Sequence, residues 1–311
     1  MESVPFPSTS QTNIDILLRQ GELSFRPGLK LQTRWGAMEA GMFTLECAGA
    51  GLAVAALLAS MRLGREFPDL SMGVALGVLL VVLAMALVLT HLGHPERSWR
   101  TMRNWRTSWL SRGSIVVSAF VVLGLVQLAL PALGMPAAAM PIAWLLMAAG
   151  LFVTLYPGLV MSASPAIAFW SSGLLPVVSA CNALASGTTL LIVVAAFETE
   201  RFPVRQVSMV AFWMIVALAL LLLIYVSVMQ RRGGTARASA SYLVRREAWL
   251  FIGAAWGLGL AFPAVLLVVA AGGDALLFAP LFILAAAAAR LAGDFALRLA
   301  MLRCGMFSPL V

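Results

Sequence analysis

Long apolar runs, each ended by a short charged or turn-forming stretch, dominate this chain. Setting the runs against their breaks places eight of them, at 36–61, 70–92, 113–131, 136–157, 168–195, 206–229, 246–271 and 275–302. A helix needs roughly 20 mostly apolar residues to cross a bilayer core, and these runs supply that length repeatedly. They are continuous rather than alternating, and backbone in hydrocarbon must satisfy its own hydrogen bonds, so they predict helices and not barrel strands. The predicted fold is all-α, a polytopic membrane bundle of eight transmembrane helices. Residues 1–35 break the pattern. They are polar, start with acidic Glu2, and carry Pro5, Pro7 and a Ser/Thr/Asn/Gln cluster before any apolar run. That is the wrong order for a cleaved signal peptide, so the segment predicts a retained tail on the surface or on a partner, ahead of one membrane domain over 36–311.

Composition points the same way. With 61% hydrophobic and 11% charged residues and a mean hydropathy of +0.95, the chain cannot present an ordinary soluble surface. No soluble repeat and no second soluble domain is visible. Charge adds an orientation. Eight spans put both termini and the even-numbered loops on one side, which receives Arg19, Arg26, Lys30, Arg34, Arg97, Arg100, Arg103, Arg106, Arg112, Arg231, Arg232, Arg237, Arg245, Arg246, Arg290, Arg298 and Arg303. The other side has Arg62, Arg65, Arg201 and Arg205. Seventeen against four predicts a cytoplasmic location for that side, hence for both termini, in a multi-pass protein of the inner membrane. A surface that meets an acidic partner is also basic, so docking contributes to the same bias.

Cys47, Cys181 and Cys304 are scattered with no C-x-x-C pair, which leaves no iron–sulfur or structural zinc site for this chain to build alone. The two histidines, His91 and His94, lie three residues apart, so a haem held by histidines from two helices is excluded too. No metal site is expected here. What remains is polarity inside the spans. Glu39 and Glu46 stand seven residues apart on one face of the first span. Intramembrane acids either serve a proton or ion pathway or are protonated and bonded to a neighbouring helix. Arg290, Asp294 and Arg298 recur every four residues in the last span, an alternating ladder that either neutralises itself or serves a site.

The densest polar stretch is H-L-G-H-P-E-R-S-W-R-T-M-R-N-W-R-T-S-W-L-S-R-G at 91–113. Gly93 and Pro95 make its opening a good helix stop. Arg97, Arg100, Arg103 and Arg106 recur every three residues, a spacing that in an α-helix rotates them around the axis, with Trp99, Trp105 and Trp109 interleaved. Arginine with tryptophan at this position suits a membrane interface. A nucleic-acid patch is a poor fit to a loop joining two spans.

H-L-G-x-P-x-R at 91–97, followed by S-W-L-S-R at 108–112, resembles the signature of the DmsC branch of the NrfD/PsrC-like membrane anchors. These are the third subunits of molybdopterin oxidoreductases of the dimethyl sulfoxide reductase superfamily. W-S-S-G-L-L-P at 170–176 and G-D-x-x-x-R at 293–298 agree, and Q-T-R-W-G-A-M-E-A-G at 32–41 is similar to anchors of cytoplasm-facing members. His94 and Arg290 depart from the pattern. The resemblance implies a subunit with no haem or cluster of its own. Such a subunit binds a quinone, ubiquinone or menaquinone, where a four-cluster iron–sulfur subunit docks, and that partner links it to a catalytic subunit that holds molybdenum or tungsten bis-pterin. On this reading His91, Arg97, Trp99 and Glu39 contact the quinone, His91 exchanging its proton and Arg97 orienting the loop or stabilising negative charge. Glu46 and Asp294 join Glu39 as candidates for the proton route, and Arg100, Arg103 and Arg106 meet the iron–sulfur partner or lipid phosphate. Anchors of this kind serve cytoplasmic sulfite dehydrogenases and phenylacetyl-CoA-type oxidoreductases, which implies electrons flowing from substrate to quinone. Two other readings stay open: a proton-coupled secondary transporter, for which intramembrane ion pairs are equally expected, and a structural anchor with no quinone site.

Overall fold

The computed structural model of the protein describes residues 29–63, 71–198, 203–271 and 279–308, together with Ile16. The remainder of the expected tail, Arg65, Arg201 and the side chain of His91 lie outside the described residues. Eight helices long and apolar enough to cross a membrane follow one another in the described chain, and the protein is a multi-pass membrane protein. They are α1 (Ala37–Leu63), α2 (Ser71–His91), α3 (Trp109–Ala129), α4 (Pro136–Ser162), α5 (Leu174–Glu198), α6 (Val204–Arg232), α8 (Trp249–Ala261 in π geometry, continuing as Phe262–Ala271) and α9 (Ala279–Arg303), with a shorter α7 (Gly234–Arg245) between α6 and α8. Two segments, β1 (Lys30–Leu31) and β2 (Met306–Phe307), pair antiparallel.

α1 is the pillar of the bundle. Its most apolar stretch is 78% buried, against 28% for α3, α6 and α8, and it packs against α2, α4, α5 and α9. Hydrocarbon supplies no hydrophobic drive between helices, so close approach must come from small residues, and glycines mark the crossings. A Cβ on Gly187 of α5 would collide with the backbone carbonyl of Gly51 of α1, and one on Gly49 would fall 2.5 Å from the carbonyl oxygen of Gly77 of α2. Two apolar cores flank this pillar. One is built mainly from α1 to α4 around Phe120, Leu146 and Val153; the other, from α5 to α9, is built around Ile215, Leu218, Tyr225 and Leu297.

The helix boundaries refine the sequence reading for local reasons. α3 begins at Trp109 rather than 113 because Ser108 caps it, accepting from the Ser111 N–H at 3.4 Å. α5 begins at Leu174 rather than 168. Phe169 and Trp170, although apolar, turn back under the bundle end, where the Trp170 indole donates to the Met301 carbonyl at 2.9 Å and stacks on Trp35 at 5.7 Å. α7 falls in a stretch expected to be a loop. Its buried face is small, Ala236, Ala240 and Leu243, which gives little hydropathy signal.

The described end of the tail is tied to the bundle. Leu29 is buried, and the Gln32 amide donates to the carbonyls of Trp35 and Leu302 at 2.8 and 2.7 Å. The two-residue β1–β2 pairing is too short to leave a periodic trace in sequence. Lys30, Arg34, Arg97, Arg100, Arg103, Arg106, Arg112, Arg231, Arg232, Arg237, Arg245, Arg246 and Arg303 thereby gather at one end of the bundle, the basic end.

Candidate functional site

The polar residues of α1, α5 and α9 meet inside the bundle. Asp294, fully buried, accepts from Arg298 Nε at 2.6 Å, from Asn182 Nδ2 at 2.5 Å and from Ser186 Oγ at 3.1 Å. Ser179, Asn182 and Ser186 lie at i, i+3 and i+7 on α5, so one helical stripe supplies the partners. Glu46 of α1 is buried and lies within electrostatic reach of Arg298; its Oε1 has no hydrogen-bond partner among the described residues, nor has Arg298 Nη2. At about 1.5 Å per residue, Glu46 stands about 14 Å from the start of α1 and Asp294 about 14 Å from the end of α9. The polar column therefore begins near the basic end and reaches toward the middle of a ~30 Å hydrocarbon core.

Arg290 lies within electrostatic reach of Asp294, as the spacing of the ladder suggested, but makes its direct bonds to other helices. Its guanidinium bonds Asn182 Oδ1 and donates from Nη1 to the Gly259 carbonyl at 3.1 Å. The second contact falls where the π stretch of α8 gives way to α geometry. The residue that would serve that carbonyl in α register is Pro263, which has no N–H. Arg290 substitutes a side-chain donor, and Gly259 against Gly293 lets α9 come close enough to deliver it.

Beside the column lies a cavity of about 40 Å³ lined by Phe43, Ser179, Asn182, Leu297, Arg298 and Met301 among others. It is large enough for water and too small for a quinone ring. Glu39, Phe43 and Glu46 share one stripe of α1, so Glu39 stands one turn above the cavity on the basic side and Glu46 below it. Glu39 is half-buried and its Oε2 accepts from the Gly36 N–H at 2.7 Å, capping α1.

The antiparallel register that sets Gly41 against Leu87 and Gly49 against Gly77 brings Glu39 level with the last turn of α2, where His91 stands. Beyond it, Pro95–Asn104 is a 3₁₀ helix with no buried residue. This corrects the expected rotation of the arginines. At three residues per turn, positions i and i+3 eclipse, so Arg97, Arg100 and Arg103 form one stripe and Trp99, Met102 and Trp105 another. Trp105 caps the helix, and Arg106 lies past it, in the turn. Arg97 sits beside Glu96 at 3.7 Å, while Trp99 and Trp105 are 63% and 53% exposed. Arg112 holds the loop to α3, donating to the carbonyls of Trp105 and Arg106 at 2.9 and 2.7 Å. His94 Nδ1 lies 3.1 Å from Glu96. Just past α9, burial pushes the Cys304 thiol well above its ordinary range, which keeps it protonated and inert.

The structure thus brings Glu46 and Asp294 together around Arg298, stations Glu39 above them, and leaves Arg97, Trp99, Arg100, Arg103 and Arg106 exposed on the loop. Asn182, Ser179, Ser186 and Gly259 were missed, although an asparagine flanked by serines at helical spacing inside an apolar run was a usable signal.

A membrane-embedded bundle with a buried carboxylate–guanidinium column beneath a basic, tryptophan-rich loop defines the class: a helical membrane protein built around intramembrane polar chemistry. The chain matches the family described as "Polysulphide reductase, NrfD" over residues 27–309, and it belongs to that family. It is also similar to the C subunit of the sulfite dehydrogenase of Allochromatium vinosum, 42% identical over 53 residues. That match spans 17% of this chain and 16% of the relative's length.

Proposed function

We propose that this chain is the membrane anchor and quinone-reactive subunit of an iron–sulfur, molybdenum- or tungsten-pterin oxidoreductase. It passes electrons between a docked four-cluster iron–sulfur subunit and the quinone pool, in the direction of substrate oxidation. Family membership and the stretch shared with a sulfite dehydrogenase subunit support the anchor role. The observation that carries the quinone reading is the buried Glu46–Arg298–Asp294 column with its water-sized cavity, whose lining comes from the helix ends nearest the loop.

The donor set fits a quinone: His91 ends α2, Arg97 and Trp99 are exposed beyond it, and Leu89 and Leu92 offer exposed apolar surface beside them. Polar groups next to lipid-facing apolar ones suit a ring with an isoprenoid tail. Bound there, the quinone would supply two-electron, two-proton redox chemistry. His91 exchanges a proton at the ring oxygen and Arg97 holds negative charge in place. Glu39, water in the cavity, and then Glu46 and Asp294 relay protons along the stripe on α1 and the ladder on α9. Arg100, Arg103 and Arg106, which make no ion pair among the described residues, meet acidic surface on the iron–sulfur subunit.

His91→Ala in the intact complex tests this. Quinone-coupled turnover should fall at least tenfold while the set of copurifying partners and reduction of a soluble artificial acceptor stay unchanged. Unaltered quinone kinetics with an intact complex would instead identify a structural anchor, and purification of a chain complete without partners would identify a transporter.

A further inference from the structure

We propose that the junction of α6 and α7 binds the phosphate of an anionic phospholipid. A cavity of about 460 Å³ opens there, lined by Gln230, Arg231, Arg237, Ser241, Val244 and Arg245, within the range of ligand-sized pockets. Arg237, Ser241 and Arg245 recur every four residues and form one face of α7, while Ala236, Ala240 and Leu243 hold its other face against the bundle. The chain reverses between the two helices through Gly233 and Gly234, at φ +77° and +54°. Side chains avoid that left-handed conformation, so the glycines make the tight turn that swings α7 back over the end of α6.

Among the described residues no carboxylate lines the cavity, and neither Arg231 nor Arg237 makes an ion pair. The nearest acid in sequence after α7, Glu247, is 3.7 Å from Arg303 instead. Guanidinium groups match the geometry of phosphate oxygens, so Arg231 and Arg237 at the rim of a groove favour that anion. What identifies the source of the phosphate is the surface below. Leu220, Ile224 and Val228 are exposed at 55%, 51% and 41%, and at four-residue spacing they form one lipid-facing stripe that ends in Arg231. Apolar surface for three turns followed by guanidinium at the span's end is the order of a phospholipid, acyl chain and then phosphate. An acidic protein surface would use the arginines and leave that stripe unexplained.

Native mass spectrometry of the detergent-purified full chain tests the proposal with phosphatidylglycerol, phosphatidylcholine and inorganic phosphate as probes. The wild type should bind phosphatidylglycerol at least tenfold more tightly than phosphatidylcholine, and Arg231→Gln with Arg237→Gln should abolish that preference. Arg100→Gln with Arg103→Gln should leave it intact. Val228→Asn, which keeps every arginine, should weaken phosphatidylglycerol several-fold. Both sets of residues are exposed, and a monodisperse elution profile with unchanged helix content verifies each variant's fold. Undiminished phosphatidylglycerol binding in the double variant overturns the proposal. So does displacement of the lipid by inorganic phosphate with no effect of Val228→Asn, which would make this a free-anion site. If the double variant keeps its lipid but loses copurifying partners, the surface is a protein interface instead.

Discussion

Asp294 ties α9 to α5, and the reason is its count of donors: a guanidinium on its own helix and an amide and a hydroxyl on α5. Removing one partner of a buried ion pair costs about 3–5 kcal/mol, because the surviving charge is left without compensation. Asp294→Asn leaves both Arg290 and Arg298 buried, so it should destabilise the detergent-solubilised protein by about that amount, read as a lowered midpoint in a thermal melt. Adding Arg298→Gln removes one of the two stranded cations and should recover part of the loss. A melt in which the double variant is no better than Asp294→Asn would show that Arg298 is compensated elsewhere. The charged members of this cluster were legible at the residue scale, because acids and arginines inside apolar runs are costly and stand out. Their neutral partners were not. Asn182 and Ser186 matter only because α5 turns them toward Asp294, a fact of rotation about the helix axis.

At the scale of elements, the break in α8 and the arginine of α9 form one device. Pro263 cannot donate to the Gly259 carbonyl, and Arg290 reaches across the Gly259–Gly293 crossing to do so. Arg290→Met should cost roughly 1–3 kcal/mol as buried acceptors lose their donor. Pro263→Ala restores a backbone N–H, so Arg290→Met with Pro263→Ala should be less destabilised than the single effects summed, by about 1 kcal/mol in a double-mutant cycle. Strict additivity would separate the two residues. The loop teaches the complementary lesson. A three-residue arginine repeat spreads around an α-helix but lines one face of a 3₁₀ helix, and spacing alone does not choose between them. His94, with no capping bond and a place beside Glu96, starts that helix ahead of Pro95, the residue that stops α2 from continuing.

At the scale of the whole molecule, the asymmetry of charge between the two ends matters most. Among the described residues the basic end carries nearly all the exposed arginines, which predicts that it faces the cytoplasm. With the half-buried Cys181 replaced by serine, a cysteine introduced at Arg237 should react with a membrane-impermeant maleimide in inverted vesicles and stay unlabelled in intact spheroplasts; the native Cys47 and Cys304 are buried and give little background. Labelling in spheroplasts would reverse the orientation and place the docking face outside. The number of spans, their order and the crowding of charge at one end were determined by the sequence itself, because transfer of apolar and charged groups into hydrocarbon is settled residue by residue, and roughly twenty such terms add along a span. Which polar atoms meet inside was decided only by the tertiary structure. Small residues at Gly51, Gly187, Gly259 and Gly293 let backbones touch, and that contact fixes the rotation and depth at which Glu46, Asn182, Arg290 and Asp294 face one another. Those are relations between distant segments, and no local pattern of hydropathy contains them.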